Sequence, residues 1–366
     1  MKKALKLNLV LIVKNEEKNI ERCISSARGL VDSVIIADTG STDRTMELAE
    51  KAGAKVYQFT WTGDFSEARN FALDQSDGDW NLVLDADEVL YPADRAKLEA
   101  WIRRNGRCLG AILLKDTFLS PDSGEPRSKY GPLPRLLPAD IRYKGMIHEQ
   151  PDTELPVILT PLSAFHDGYL GPETMKKKGI RNLAYLERAV SEYPEDAYYQ
   201  YQMAVTLKNV QRLKESLPYF QSFYRLSSPQ DGYWADGILL WLYTLADEKV
   251  GRLQEAGAVM EETESFFKSN PDFYLFRGIW YMKLIMSDTK AYIGLLSEIE
   301  KSWKRCLEIG EQPELGGVEG AGSFLALYNL GTWYEVSGQT ALAAEAYKRS
   351  AAAGYAPAAE RLKLLT

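Results

Sequence analysis

Apolar residues in the N-terminal part of the chain come in short, nearly unbroken runs rather than in strict alternation. Leu7–Val13, Val34–Ala37, Ala54–Phe59 and Asn81–Leu84 each read as a strand with both faces buried, as strands of a helix-covered parallel sheet do. A polar turn follows each run, and most turns lead into a helical pattern. Ser41 or Thr42 is placed to start a helix that ends at Gly53. Asp64-Phe65-Ser66-Glu67 has capping-box spacing for a helix running to about Gln75. The expectation is an α/β domain whose ligand lies off the carboxyl ends of the strands.

The pattern changes near Pro172. From Met175 onward it is helical, rich in Tyr, Trp, Leu and Ala, and punctuated at Pro194, Pro229, Pro271 and Gly310. Two windows fit the tetratricopeptide template of about 34 residues, in which small residues sit where paired helices touch and aromatics fill the layer between repeats. One carries Ala204, Leu207, Ser216 and Phe220; the other carries Leu330, Gly331, Tyr334, Ala343 and Tyr347 at the same relative positions. Leu253 to Pro271 reads as the second half of a repeat, and Phe273 to Leu307 as a longer, divergent helix pair. Residues 1–172 and 173–366 are therefore expected to form an α/β domain and an all-α domain. Most of the aromatics are expected in the core. A concave groove would turn a few of them, Tyr198, Tyr201, Tyr219 and Phe223, toward a peptide or toward a partner subunit, as in a homodimer.

Polar chemistry gathers at the expected strand ends: Lys14-Asn15-Glu16, Asp38-Thr39-Gly40-Ser41, Trp61 to Asp64, and Asp85 to Glu88. The last is the most telling, because apolar Leu82-Val83-Leu84 runs straight into Asp85-Ala86-Asp87-Glu88. So acidic an exit from a buried strand calls for something positive, commonly a divalent cation carrying a diphosphate. A single acidic turn is also ordinary solvated surface, whereas four converging polar ends are much harder to reach by chance. No Gly-x-Gly-x-x-Gly follows the first strand and no Walker loop occurs, which argues against a Rossmann dinucleotide enzyme and a P-loop NTPase. Asp38, ending the second strand, suits a bond to a base or ribose and suits ordinary turn chemistry as well. The two histidines of the chain, His148 and His166, fall in short segments flanked by Gly and aromatic residues after the strand-rich core. For each, a hydrogen-bonded structural histidine is the plain alternative to a ligand.

Composition narrows the classes. At 366 residues and 45% hydrophobic the chain can bury two cores, and a formal charge of −7 argues against a nucleic-acid partner. Cys23, Cys108 and Cys306 are odd in number and far apart, which suggests neither a disulfide framework nor a metal knuckle. Met1-Lys2-Lys3-Ala4 mimics the start of a signal peptide, but the apolar run ends at Lys14 without a cleavage pattern, so it reads as the first strand of a cytoplasmic protein. No apolar run is long enough to span a membrane.

Taken together, Val10 to Glu17, Ile36 to Asp43, Asp64 to Asn70 and Leu84 to Glu88 resemble, in order and spacing, the glycosyltransferase family 2 enzymes of GT-A fold. Tyr143 to Pro151, Phe165 to Tyr169 and Lys176 to Leu183 extend the resemblance to the tetratricopeptide-bearing branch that includes the sublancin S-glycosyltransferase. The resemblance implies a Rossmann-like mixed sheet with helices on both faces. It also implies a metal-dependent, inverting hexosyltransferase that uses a nucleotide-sugar, a UDP-sugar in particular, and a peptide or protein acceptor. It makes Asp85-Ala86-Asp87 the DxD motif, with Asp87 on Mg2+ or Mn2+ and Asp85 on the ribose or the metal shell. Asp38 would bond the base, Val13, Lys14, Asn15 and Glu16 would line its pocket, and Arg69 would support the nucleotide or act as a salt-bridge partner. A late histidine completes the metal site in the family; His166 is the stronger candidate by position, and His148 either shares that part or orders the acceptor side. Glu149 takes the place of the base. The alternatives are a transferase for lipid-linked or lipopolysaccharide-core sugars and a scaffold without activity. A sugar nucleotidyltransferase would need a glycine-rich N-terminal loop that is missing.

Overall fold

A computed structural model of the protein describes residues 4–119, 126–166 and 172–365. The start Met1-Lys2-Lys3 and the Asp167-Gly168-Tyr169 part of the late motif lie outside these residues. Two compact units divide the chain, Met1–Gly171 and Pro172–Thr366.

In the first unit the apolar runs are strands: β1 (Leu7–Val13), β2 (Ser33–Asp38), β3 (Lys55–Gln58) and β4 (Trp80–Val83). They pair in parallel, β3 on β2, β2 on β1 and β1 on β4. The later strands are β5 (Glu88–Leu90), β6 (Leu109–Leu119), β7 (Pro126–Pro138) and β10 (Val157–His166), with a separate small pair, β8 (Tyr143–Lys144) and β9 (Gln150–Pro151). Their order across the sheet is β3-β2-β1-β4-β7-β6-β10-β5. Strand β7 runs antiparallel to both β4 and β6, and β5 antiparallel to β10, so the sheet is mixed. Successive residues of β1 serve opposite faces, as the pleat requires. Leu7, Leu9, Leu11 and Val13 enter a core with Ile20, Cys23 and Ile24 of α1 (Ile20–Ser26) and Leu98, Trp101 and Ile102 of α4 (Arg95–Asn105). Val10 enters a second core with Ala72 and Leu73 of α3 (Phe65–Asp74). Burial on both faces is the reason β1, β2 and β4 carry no alternation.

The caps explain where the helices start. Asp64 accepts from the amides of Ser66 and Glu67 and so opens α3 where the capping box indicates. Helix α2 (Thr45–Lys51) starts later than Ser41 or Thr42 would place it. Those two residues instead hold the preceding turn: Asn15 N donates to Ser41 Oγ at 2.9 Å, and Thr42 N donates to Asn15 Oδ1 at 2.8 Å.

The second unit is helical: α5 (Pro172–Glu192), α6 (Ala197–Asn209), α7 (Leu213–Leu226), α8 (Trp234–Leu245), α9 (Leu253–Thr263), α10 (Pro271–Ser287), α11 (Thr289–Tyr292), α12 (Leu296–Ile309), α13 (Phe324–Val336), α14 (Thr340–Ala352) and α15 (Ala356–Leu365). Helices α6 and α7, α10 and α12, and α13 and α14 pack as pairs. The template residues Ala204, Leu207, Ser216, Phe220, Leu330, Gly331, Tyr334, Ala343 and Tyr347 are all buried, and Gly331 of α13 stands against the Tyr347 ring of α14. The expected aromatic groove needs correcting. Phe223 is fully buried, and Tyr201 packs against the same core while its hydroxyl donates to Asp236 at 2.6 Å, so these rings are structural.

Candidate active site

The sheet order places the site. Strand β1 is flanked by β2 on one side and β4 on the other, so the connections reverse direction there and leave a crevice beyond the carboxyl ends of β1, β2 and β4. Val13 and Asp38 are register partners at the ends of β1 and β2, and Thr39 donates through both N and Oγ1 to Val13 O. Asp38 is buried; its Oδ1 accepts from the amides of Gly40 and Ser41 at 2.9 and 2.8 Å, while its Oδ2 is buried with no hydrogen-bond partner. A buried carboxylate oxygen left open is costly unless a ligand donates to it. Asn15 adopts a left-handed φ of 57°, which turns the chain after exposed Lys14, and the Glu16 amide donates to Thr45 Oγ1 at 2.7 Å.

Beyond β4 lies a chain of ion pairs. Asp85 accepts from Arg69 Nη2 through Oδ1 at 2.7 Å and from Arg135 Nη2 through Oδ2 at 2.8 Å. Arg69 also pairs with Glu149, and Arg135 with Glu88. Both guanidiniums are largely buried, at 7% and 12% side-chain exposure, and Glu88 and Glu149 are equally enclosed. Burial pushes the Asp85 carboxyl up, but Arg135 and Arg69 outweigh it and hold the group well below the usual carboxylate range. Burial pushes the Glu88 carboxyl up, and the charge of Asp85 adds to this against the pull of Arg135. Each arginine keeps one buried nitrogen without a partner, Arg69 Nη1 and Arg135 Nε. Ala86 is buried between the acids.

Local folding accounts for the pairing of Arg69 with Glu149. Phe65 N donates to Met146 O at 3.0 Å, and Asn70 exchanges hydrogen bonds with the Tyr143 backbone, donating to its carbonyl at 2.9 Å and accepting from its amide at 2.7 Å. These bonds strap the Tyr143 to Glu149 segment onto α3, and Arg69 lies over the Tyr143 ring at 5.5 Å. His148, in the same segment, has a left-handed φ of 52°.

The two late sheet strands bring His166 to Asp87. His166 is the last residue of β10, a strand residue rather than a loop one, in register with Glu88 of β5 on one side and Asp116 of β6 on the other. Its Nε2 lies 3.0 Å from Asp87 Oδ2 and its Nδ1 3.0 Å from Asp116 Oδ1. Hydrogen bonds to Asp116 and Asp87 raise its pKa to about 10 in the absence of a cation, and a cation taking Nε2 would have to displace the proton held there. Asp116 and Arg135 are the members of this cluster that sequence reasoning missed. Arg135 is a lone charged group in the apolar stretch Leu133-Pro134-Arg135-Leu136, and that isolation was the available signal; Asp116, next to Lys115, carried none.

Residues 9–144 match the family model described as glycosyl transferase family 2. The N-terminal unit carries a glycosyl transferase family 2 domain. A TPR repeat-containing protein of Synechococcus elongatus is 35% identical over 208 residues, covering 52% of this chain and 50% of that protein. The SPbeta prophage-derived glycosyltransferase SunS of Bacillus subtilis is 24% identical over 218 residues, covering 58% of this chain and 51% of that protein. The chain thus spans about half the length of these relatives. A crystal structure of glucosyl-3-phosphoglycerate synthase from Mycobacterium tuberculosis with Mn2+, UDP and glucosyl-3-phosphoglycerate is 28% identical over 31% of this chain and 44% of that one; its TM-score of 0.25 gives it no weight for the site. Within the family 2 domain, Asp38, Arg69, Asp85 and Asp87 fall inside the matched residues, and Glu149 and His166 beyond them.

Proposed function

We propose that the family 2 domain moves a sugar, with inversion, from a UDP-sugar to a peptide or protein side chain, with Mg2+ or Mn2+ as cofactor. The observation that carries this reading is the meeting of Asp87 with His166 across 79 residues of sequence, off the carboxyl ends of the strands. Their donor atoms fit a hard divalent cation. Once Nε2 is deprotonated, Asp87 and His166 would hold such a cation together, and Mg2+ commonly takes one or two protein ligands beside phosphate and water. Among the described residues no three His, Cys, Asp or Glu side chains converge as a metal cluster, so a cation held here would take the rest of its shell from the diphosphate and water. Such a cation, when bound, neutralises the charge that develops on the leaving diphosphate.

The chain's own groups divide the remaining work. Asp38 offers its open Oδ2 to the base, and Val13, Lys14, Asn15 and Glu16 wall the base pocket. Asp85, kept ionised by the two arginines, accepts from the ribose, with Ala86 too small to obstruct it. Arg69 keeps one N–H for the nucleotide. Glu149 takes the acceptor proton while the diphosphate departs from the opposite face, and His148 beside it orders the acceptor. A screen of nucleotide-sugars for hydrolysis with Mn2+ and with EDTA tests the donor half, and mass spectrometry of candidate peptides tests the acceptor half. NMR of the product anomer tests inversion. Failure of every nucleotide-sugar to turn over, with or without metal, would sink the reading; sugar found on glycolipid and absent from peptide would replace its acceptor.

A further inference from the structure

The ring of His166 is held from both sides, and only one side belongs to the DxD motif. Asp116 stands in register with His166 across the parallel pair β6 and β10, so the two side chains leave the sheet on the same face. Its carboxylate takes Nδ1 at 3.0 Å, which aims Nε2 at Asp87. Asp116 is the one acidic residue of β6, and Asp is a poor strand former that a central strand carries at a cost. Nothing in the packing asks for it: from Lys115 onward β6 has left the buried core.

We infer that Asp116 is a positioning residue for the donor site: it fixes the ring orientation and the Nδ1–H tautomer of His166, so that Nε2 is presented to the divalent cation together with Asp87. This rests on the donor-site reading above. A ligating imidazole whose other nitrogen donates to a carboxylate is held in one orientation and made a stronger donor, and loss of such a partner typically weakens metal binding by about 10- to 100-fold.

The test measures Mn2+ affinity in the full chain with saturating UDP, by calorimetry or by the free-ion electron paramagnetic resonance signal. Asp116→Ala should weaken Mn2+ by about 10- to 100-fold with an unchanged melting temperature, and Asp116→Asn, which keeps an acceptor for Nδ1–H, should recover part of the loss. Because the chain has two histidines, 15N-histidine labelling gives two ring spectra, and His148→Gln assigns them. With Mg2+ and UDP, wild-type His166 should show a single Nδ1–H tautomer and Asp116→Ala a mixture, a change that a merely structural role would not produce. Asp87→Asn and His166→Ala serve as controls. If both lose Mn2+ while Asp116→Ala and Asp116→Asn bind it as wild type does, the positioning role is wrong and the donor site stands. If the controls also bind Mn2+ normally, the donor-site reading fails and takes this inference with it.

Discussion

Asp85 accepts from Arg69 through one oxygen and from Arg135 through the other, so much of the charge that marks the strand exit is answered inside the protein. Removing one member of so enclosed a network strands the others, and the usual cost is about 3–5 kcal/mol. Arg135→Leu should therefore lower stability in urea by that order, because Glu88 and Asp85 lose their shared partner. Arg107→Leu is the contrast. Its pair with Asp140 is exposed on both sides, and the loss should stay within about 1 kcal/mol. Equal effects would mean that the buried network contributes nothing special. Glu149 poses a different question, since its carboxylate sits on Arg69. As the base, Glu149→Gln should lower transfer by about 10²- to 10⁴-fold and leave donor affinity nearly unchanged. A loss of donor binding instead would assign Glu149 to holding Arg69. The sequence made Asp38, Asp85 and Asp87 visible because they end apolar runs. Arg135 and Asp116 stayed hidden because their partners lie 50 residues away and depend on antiparallel and crossover pairings that no local pattern encodes.

Strands β1, β2 and β4 were legible as continuous apolar runs because both faces of the sheet are covered there, whereas β3, at the sheet edge, has no buried residue. The later strands were not, since β6 and β7 carry polar residues through their outer halves and β10 alternates along an exposed stretch. In the helical unit the small residues of the repeat template were legible for a physical reason that the packing makes plain. A Cβ on Gly331 would stand 2.6 Å from the Tyr347 ring, and Gly278 meets Trp303 in the same way in the divergent pair α10 and α12. Gly331→Ala sets two effects against each other. Alanine gains about 1 kcal/mol of helix propensity, whereas forcing a methyl into a packed contact costs about 1–3 kcal/mol. The aromatic ring is buried and has little room to retreat, so the expected result is a net loss of about 1–2 kcal/mol in urea. Gly338→Ala, where the left-handed φ of 74° disfavours a side chain but the space is open, would lose stability through strain alone. A stabilised Gly331→Ala would show that the helices of the pair can separate freely.

At the scale of the whole chain, composition allows two cores; the sheet unit has one on each face of its sheet and the helical unit has another. Every residue proposed for the donor lies in Met1–Gly171, so fragment 1–171 should hydrolyse the donor, and transfer to peptide should fall steeply if the helical unit supplies the acceptor surface. Equal transfer by the fragment would place acceptor recognition in the first unit. The helical unit also carries a pH dependence of its own. Asp272 is buried at the start of α10; burial pushes its carboxyl up to about 7, with Glu311 and Asp236 adding to the push and the Val318 amide, donating to Oδ1 at 2.9 Å, opposing it. The unfolded chain releases this proton near 3.8, so between about pH 4 and pH 7 the folded state holds more protons than the unfolded one. Stability from this group must then fall as pH rises through that window, by up to about 4 kcal/mol for a shift of this size, and level off above it. Asp272→Asn keeps an acceptor for Val318 and has no proton to lose. Calorimetry of wild type and variant from pH 4 to 8 should show the variant gaining on wild type steadily up to about pH 7, with no further gain beyond. A constant difference across that range would mean that Asp272 is ionised in the folded protein, with a cation or solvent reaching it.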